Sequence, residues 1–413
     1  MKNKKAVAIV SLVLAAAFTA CLIMYVGSRR DPFQRRTEHR IVSVSLYGQA
    51  SVLRRGTGYS LKEGVGVIET DTIITDPGAE ASFRDEDTCV FILDENTEAG
   101  IILDEPGRTC LEVRYGTVFF KTSSGGGEFS VSVPTGDIVP GPETLFSVEC
   151  YPGTQTLRVY RGEVSLTDAD TGGVGTVRRG EQFTSLQDDD GQNTDEDIKS
   201  ISVQSLSGFL IKKLLEYPER EIFTDDELRS EAERRIRETE AALAEKEAYE
   251  AQIIAQGGTV PVILSSKPVP EYMTQADLHE CTVSIVCDTI LGNMDELTEG
   301  KNVYVPENGV ILAPSTVQFV TGETVYDVLK RACAAVDIPL EYRWTVEYGG
   351  YYIEGINELY EFDCGPESGW MYKVNGWFPN YGSSNYILKD GDIIVWAYTC
   401  RGLGEDLGLI WSP

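Results

Sequence analysis

Histidine is nearly missing from this chain of 413 residues, with His39 and His279 the only two. His39 stands beside a long apolar run near the N-terminus, and His279 falls in a stretch that reads as linker. A Ser-His-Asp or Cys-His device therefore finds no base inside a folded domain. Cysteine and histidine never fall at metal-ligand spacing, so no metal site is expected. Paired carboxylates are set by space, and a chain with 65 Asp and Glu leaves that chemistry open. On balance the sequence points away from an enzyme. Basic residues are also scarce, 36 Lys and Arg against those 65 acids, for a net charge of −29. Eight of those 36 lie before residue 41, against two acids, so the remainder is more acidic still. Such a surface repels phosphate backbones and excludes nucleic acid as a partner.

Residues 6–27 carry no charge. At about 1.5 Å per residue this run spans a bilayer core of roughly 30 Å. It ends in the bulky "LIMYV" rather than the small residues of a cleavage site, which favours an uncleaved anchor over a removable leader. Lipidation at Cys21 is disfavoured by Phe18 and by the apolar residues that follow. Lys and Arg flank both ends, so charge bias alone does not orient the span. The acidic, strand-rich remainder reads as an exported body. The expectation is a single-pass protein of the cell membrane, N-in and C-out, with residues 1–5 as a cytoplasmic tail. Eight cysteines follow Cys21, an even number that permits disulfides and equally permits buried free thiols.

Residues 41–186 alternate apolar and polar residues in short runs broken by glycine, with β-branched residues prominent. This predicts an all-β domain, solenoid- or sandwich-like. The order "LKEGVGVIETDTIITDPGAEASFRDEDTCVFILDENT", "LEVRYGTVFFKT", "FSVSVPTGDIVPGPETLFSVE" and "LRVYRGEVSL" resembles the FecR-like domain, although "GPETLF" replaces that family's usual "GT.F". The resemblance implies an extracytoplasmic β module. Founding members signal to sigma factors through a cytoplasmic N-terminal domain. Only residues 1–5 precede the span here, so that role is not expected to carry over.

Residues 187–256 read as an acidic loop followed by a charged helical spacer. "LQDDDGQNTDED" fails as a calcium loop, because aligning Gly191 with the invariant glycine puts Leu186 at the first ligand position. In the helix, Thr224 and Glu227 have capping-box spacing. Its apolar positions Leu228, Ala232, Ile236 and Leu243 are sparse, suiting a spacer or a self-associating coil. Residues 257–280 read as a proline-containing linker. The two flanking domains are therefore expected to fold and unfold independently.

Residues 281–413 read as a small α+β domain, β-grasp-like in outline. "CTVSIVC" alternates as a strand with Cys281 and Cys287 on one face, and a hairpin is expected around 306–309. "TVYDVLKRACAAV" has helical periodicity behind a Thr324 cap. The stretch "SGWMYKVNGWFPNYG" holds five aromatic residues. Strand alternation puts Trp370 and Tyr372 on one face as structural core. Asn375-Gly376 signals a type I′ turn. That turn leaves Trp377, Phe378 and Tyr381, with Asn375, in a connection where core packing does not demand them, so these four are the candidate ligand-binding residues.

"GETVYDVLKRA", "YYIEGINELYEFDCGPESGWMYKVNGWFPNYG" and "YILKDGDIIVWAYTCRGLGEDLG" resemble the transcobalamin-like C-terminal domain of bacterial surface proteins. Eukaryotic relatives are cobalamin carriers, in which this domain covers a corrinoid held mainly by a helical barrel. No such barrel is evident here, so the resemblance leaves a corrinoid as a candidate ligand without implying a complete site. The resulting expectation is a multidomain, membrane-anchored binding protein of a bacterial surface, capturing or sensing a small ligand or an envelope partner. A non-enzymatic structural or assembly protein is the alternative.

Overall fold

The computed structural model describes residues 41–409, except 87, 106–107, 125–128, 169–172, 188–192, 265–277, 346–348 and 403. Residues 1–40, with the expected anchor at 6–27 and Cys21, lie outside the described residues. Among those described, no helix is long and apolar enough to cross a membrane. The structure is mostly β.

The first half of the chain forms two sheets over one core. Val52, Ile73, Ile101, Val131, Ile138 and Val164 enter that core from one sheet, and Phe83, Phe91, Val118, Phe120, Phe146 and Val159 from the other. This two-layer arrangement satisfies the sandwich alternative of the sequence reading. The long strand Arg108–Thr122 belongs to both sheets. Its first half pairs with Glu98–Glu105 and, in parallel, with Phe129–Val133; its second half pairs with Cys89–Leu93 and Leu145–Tyr151. The core-facing positions change from Leu111 and Val113 to Val118 and Phe120, from odd to even, across a bulge opposite Glu98 and Ala99. A one-residue insertion does this because side chains alternate with period two.

Gly116 sits at that change of face with φ +96°, and a Cβ there would lie 2.7 Å from Thr97 Cα. Only glycine fits both the backbone angle and the space. Gly116→Ala should cost about 3 kcal/mol or more, from left-handed strain plus overpacking. Gly64 has φ +77° with open space around it, and Gly64→Ala should cost about 1–2 kcal/mol. Urea unfolding of the two variants checks the difference.

Beyond this sandwich, the structure departs from the expected acidic loop. Asn193–Ser200 is a strand that extends the ladder of Glu181–Gln187. It is an outermost strand, where charged residues are tolerated and discourage further pairing. The short helix Gly208–Glu216 then covers the outer face of one sheet. It buries Leu210, Ile211 and Leu214 against Ile92, Phe119, Leu145 and Tyr160. Phe119 and Phe120 are consequently both fully buried, on opposite faces of one strand.

The helix Asp225–Ala255 follows, with the Thr224/Glu227 capping box formed. It stops where Gly257 takes φ +78° and Gly258 N donates to Ile253 O at 2.9 Å, a glycine-terminated end. Leu228 is buried in the cluster on the first domain, whereas Ile236 and Leu243 are exposed.

The C-terminal domain is a mixed five-stranded sheet with the helix Val325–Ala335 packed across it. The strand order is Val262–Ile263, Val310–Val320, Leu278–Val286, Ile393–Thr399, Gly369–Val374. The capping box of Thr324 and Asp327 is present. A smaller sheet joins Leu340–Thr345, Gly350–Ile356 and Leu359–Tyr360. Three local expectations are corrected. Val262–Ile263, expected as linker, pairs in parallel with Thr316 and Val317, and Ile263 enters the core. His279, also placed in linker, lies in the strand Leu278–Val286, 3.2 Å from Thr321 Oγ1. No hairpin forms at 306–309: the turn closes from Gly309 N to Pro306 O, but a 3-10 helix, Lys301–Tyr304, precedes it.

Cys281 and Cys287 do not share a face. Bulges around Ile285 break the alternation, and Cys287 begins the next helical turn. Cys281 therefore joins the main core and Cys287 a satellite cluster with Cys364 and Cys400. All eight described cysteines are buried.

Candidate functional site

The two domains, expected to fold independently, each have their own core. The two domains meet, and they meet through the loop after Asn375-Gly376. Asn375 has φ +51° and Gly376 φ +75°. Val374 and Trp377 exchange both backbone hydrogen bonds, at 2.8 and 3.0 Å, to close the two-residue turn. Asn375 Nδ2 donates to Asp392 Oδ1 at 2.8 Å, and its Oδ1 accepts from Ile393 N at 3.0 Å. The turn presses on the long helix, where a Cβ on Gly376 would lie 3.1 Å from Arg235 Cα. Glycine thus serves both the turn geometry and a close backbone approach. Arg234 Nη2 donates to Gly376 O at 3.4 Å, and Lys373 lies 3.5 Å from Glu238.

Past the turn the chain reaches the first domain. Tyr381 stacks on Tyr151 with ring centroids 3.8 Å apart. Tyr115 Oη donates to Asn385 O at 2.8 Å. Asn380 Nδ2 donates to Glu149 Oε2 at 3.2 Å, and Glu149 is in turn held by the buried Arg158. Lys389 forms an ion pair with Glu95.

These contacts surround a cleft of about 420 Å³ between the domains. Three of the four predicted ligand residues, Asn375, Trp377 and Tyr381, line it. Phe378 does not; it lies under Lys373 Nζ, 5.6 Å from the ring centroid. The two predicted core residues sit as follows. Tyr372 is buried and donates to Tyr381 O at 2.8 Å. Trp370 is half-buried, edge-on to Tyr398, with Nε1 donating to Leu359 O at 2.8 Å.

Sequence reasoning missed the opposite wall. Tyr115, Tyr151, Asp94 and Glu95 come from the first domain, and Tyr386 and Lys389 from beyond the aromatic stretch. Asp94 and Glu95 fall in the acidic turn "LDENT", the one local hint available. Nothing in the pattern ties that turn to residues 375–389.

Aromatic rings run continuously along the cleft. Tyr115 meets Tyr151 edge-on at 5.3 Å, Tyr151 stacks on Tyr381, and Trp377 meets Tyr381 edge-on at 6.2 Å. Trp377 Nε1 is buried without an acceptor among the described residues, a costly state for an N–H group. Burial pushes the Tyr151 and Tyr381 phenols well above their ordinary value, so both stay neutral.

Burial, reinforced by Glu95, pushes the Asp94 carboxyl up to about 8. A carboxyl raised in this way binds more protons folded than unfolded between about pH 4 and 8. Its contribution therefore weakens the fold as pH rises through that window, by at most about 1.4 kcal/mol per unit. Asp94→Asn should raise the melting temperature above pH 8, and the gain should vanish near pH 4. Scanning calorimetry across that range checks the sign.

Residues 322–400 match the family model of a domain of unknown function, DUF4430. No curated protein matches the chain. Among solved structures, a candidate anti-sigma factor from Parabacteroides distasonis is similar at 17% identity over 35% of this chain and 64% of that one, TM-score 0.29. Haptocorrin in complex with Cbi is similar at 14% identity over 31% of this chain and 26% of that one, TM-score 0.22. A candidate metal-binding protein from Ruminococcus gnavus is similar at 16% identity over 29% of this chain and 96% of that one, TM-score 0.19. The chain thus spans under two thirds of the first two. Among the described residues, no group of three or more His, Cys, Asp or Glu is placed to hold a metal ion.

Proposed function

We propose that this chain is a membrane-anchored, extracellular, non-enzymatic binding protein whose FecR-like and transcobalamin-like domains close together on a small ligand. The carrying observation is the cleft, in which a donor without an acceptor, Trp377 Nε1, stands among aromatic rings supplied by both domains. Pockets that hold drug-sized molecules are mostly apolar, about 300–1,000 Å³, frequently lie between domains, and carry a few convergent polar groups. At about 420 Å³ the cleft falls in the lower part of that range. A corrinoid macrocycle with its nucleotide tail is too large to be enclosed there. The ligand on this reading is smaller than the one the transcobalamin resemblance implies.

Native mass spectrometry of residues 41–413, purified from the source organism's membrane, should show a bound small molecule in wild type and its loss in Trp377→Leu. A wild-type spectrum with no adduct, in which the chain is present only as a defined oligomer, would favour an assembly protein instead. The exposed Ile236 and Leu243 of the long helix would be the contact in that case.

The localisation follows from the uncharged run 6–27 ahead of an acidic body. Protease added to wall-stripped intact cells should degrade residues 41–413, and full protection would reverse the orientation.

A further inference from the structure

Sorting the charges that line the cleft leaves one group over. Lys389 is bound to Glu95, and Lys212 to Glu80 at 2.8 Å. Arg235 is bound to Glu231 at 2.7 Å, with a further donation to Gln204 O at 3.2 Å. Each cation in the wall is bound to a carboxylate, Glu80 being shared with Lys213 and Glu231 with Arg234. Asp94 forms no ion pair among the described residues: its Oδ1 accepts the backbone N–H of Glu95 at 2.9 Å, and Lys389 acts on it from beyond contact distance. Facing the same space are the rings of Tyr115, Tyr151, Trp377, Tyr381 and Tyr386. Aromatic faces attract cations through their quadrupole, most strongly where water is excluded, and cages of such rings recognise quaternary ammonium groups.

We propose that the cleft takes an organic ammonium ion, its charge met by the Asp94 carboxylate and its alkyl groups by the aromatic wall. This rests on the cleft being a ligand site, as proposed above, and names the class of ligand. An anionic ligand would face Asp94 with no free cation to meet it. A neutral apolar one would leave the Asp94 carboxyl with no partner beyond the backbone N–H of Glu95.

The groups acting on Asp94 are Glu95 on its own turn, Glu80 on the strand Glu80–Asp85, and Lys389 from the C-terminal domain. Asp94 is felt in turn by Tyr151 and by Lys212 on the short helix. Hydrogen bonds from Lys212 and Lys213 outweigh burial and hold Glu80 below its ordinary value. Lys389, despite burial, is held above its own by Glu95. Asp94 is thus the carboxyl expected to change charge near neutrality. A cation selects its ionised form, so affinity should rise up to tenfold per pH unit and level off above about 8.

The test uses residues 41–413 with choline as probe and 3,3-dimethyl-1-butanol, its uncharged carbon isostere, as control, by calorimetric titration. Choline should bind at least tenfold more tightly than the isostere at pH 8.5, and more tightly at pH 8.5 than at 6.5. Asp94→Asn preserves the shape of the side chain and should remove both differences. Trp377→Leu should weaken choline while leaving the Asp94-dependent pH response in place. Equal binding of choline and the isostere, or a choline affinity unchanged in Asp94→Asn, overturns the proposal. An endogenous anionic or neutral molecule lost from Trp377→Leu in native mass spectra would keep the cleft as a ligand site and overturn the ammonium ion. Failure of every probe, with no endogenous adduct, overturns both.

Discussion

The stacking of Tyr381 on Tyr151, with centroids 3.8 Å apart, is the contact on which the arrangement of the molecule depends. Each ring belongs to a domain with its own core, and neither core extends to the other. Beside this pair, Gly349 of the C-terminal domain also packs against Pro152 of the first. Around the stack, Asn380 reaches Glu149, Tyr115 reaches Asn385, and Lys389 reaches Glu95. Aromatic stacking supplies area and these polar contacts supply register, so the two surfaces dock in one orientation. The cleft exists because the stack holds the domains together on one side while leaving space beside it.

The long helix works with that contact. Its first turns belong to the sandwich, through Leu228 and the buried Glu231–Arg235 pair. Further along, Arg235 receives Gly376, and Glu238 receives Lys373. A helix is stiff over this length, so fixing its first turns on one domain fixes where the other must sit. The residues judged too few to bury much do bury little; position, rather than area, is what the helix contributes.

Local signals were readable where the chemistry is local. Both capping boxes, the Asn375-Gly376 turn and the helix behind Thr324 follow from residues three or four apart. The strand Asn193–Ser200 was hidden because an edge strand can be as acidic as a loop, and Val262–Ile263 because two residues beside prolines carry no period. Of the aromatics after the turn, Trp377 and Tyr381 line the cleft and Phe378 does not. Their partners could not be read, since Tyr115 and Tyr151 lie more than two hundred positions away and no pattern links the two segments. Strand alternation puts Trp370 and Tyr372 on one face, where Tyr372 is buried and Trp370 half-buried.

The cleft is also where the molecule departs from what stability alone would choose. A carboxyl pushed up by burial and an indole N–H without an acceptor among the described residues each cost the unliganded fold something. A sequence selected only to join two domains would be expected to fill such a space with apolar side chains, as it does in the sandwich around Phe91, Phe120 and Phe129. Groups of this kind persist where a bound molecule completes them, since any ligand of the folded form stabilises it by mass action. Burial and the neighbouring Glu95 together push the Asp94 carboxyl up at the meeting point of the two domains. On the reading proposed above, a cation that pairs with Asp94 would offset the desolvation that its place between the domains imposes on it.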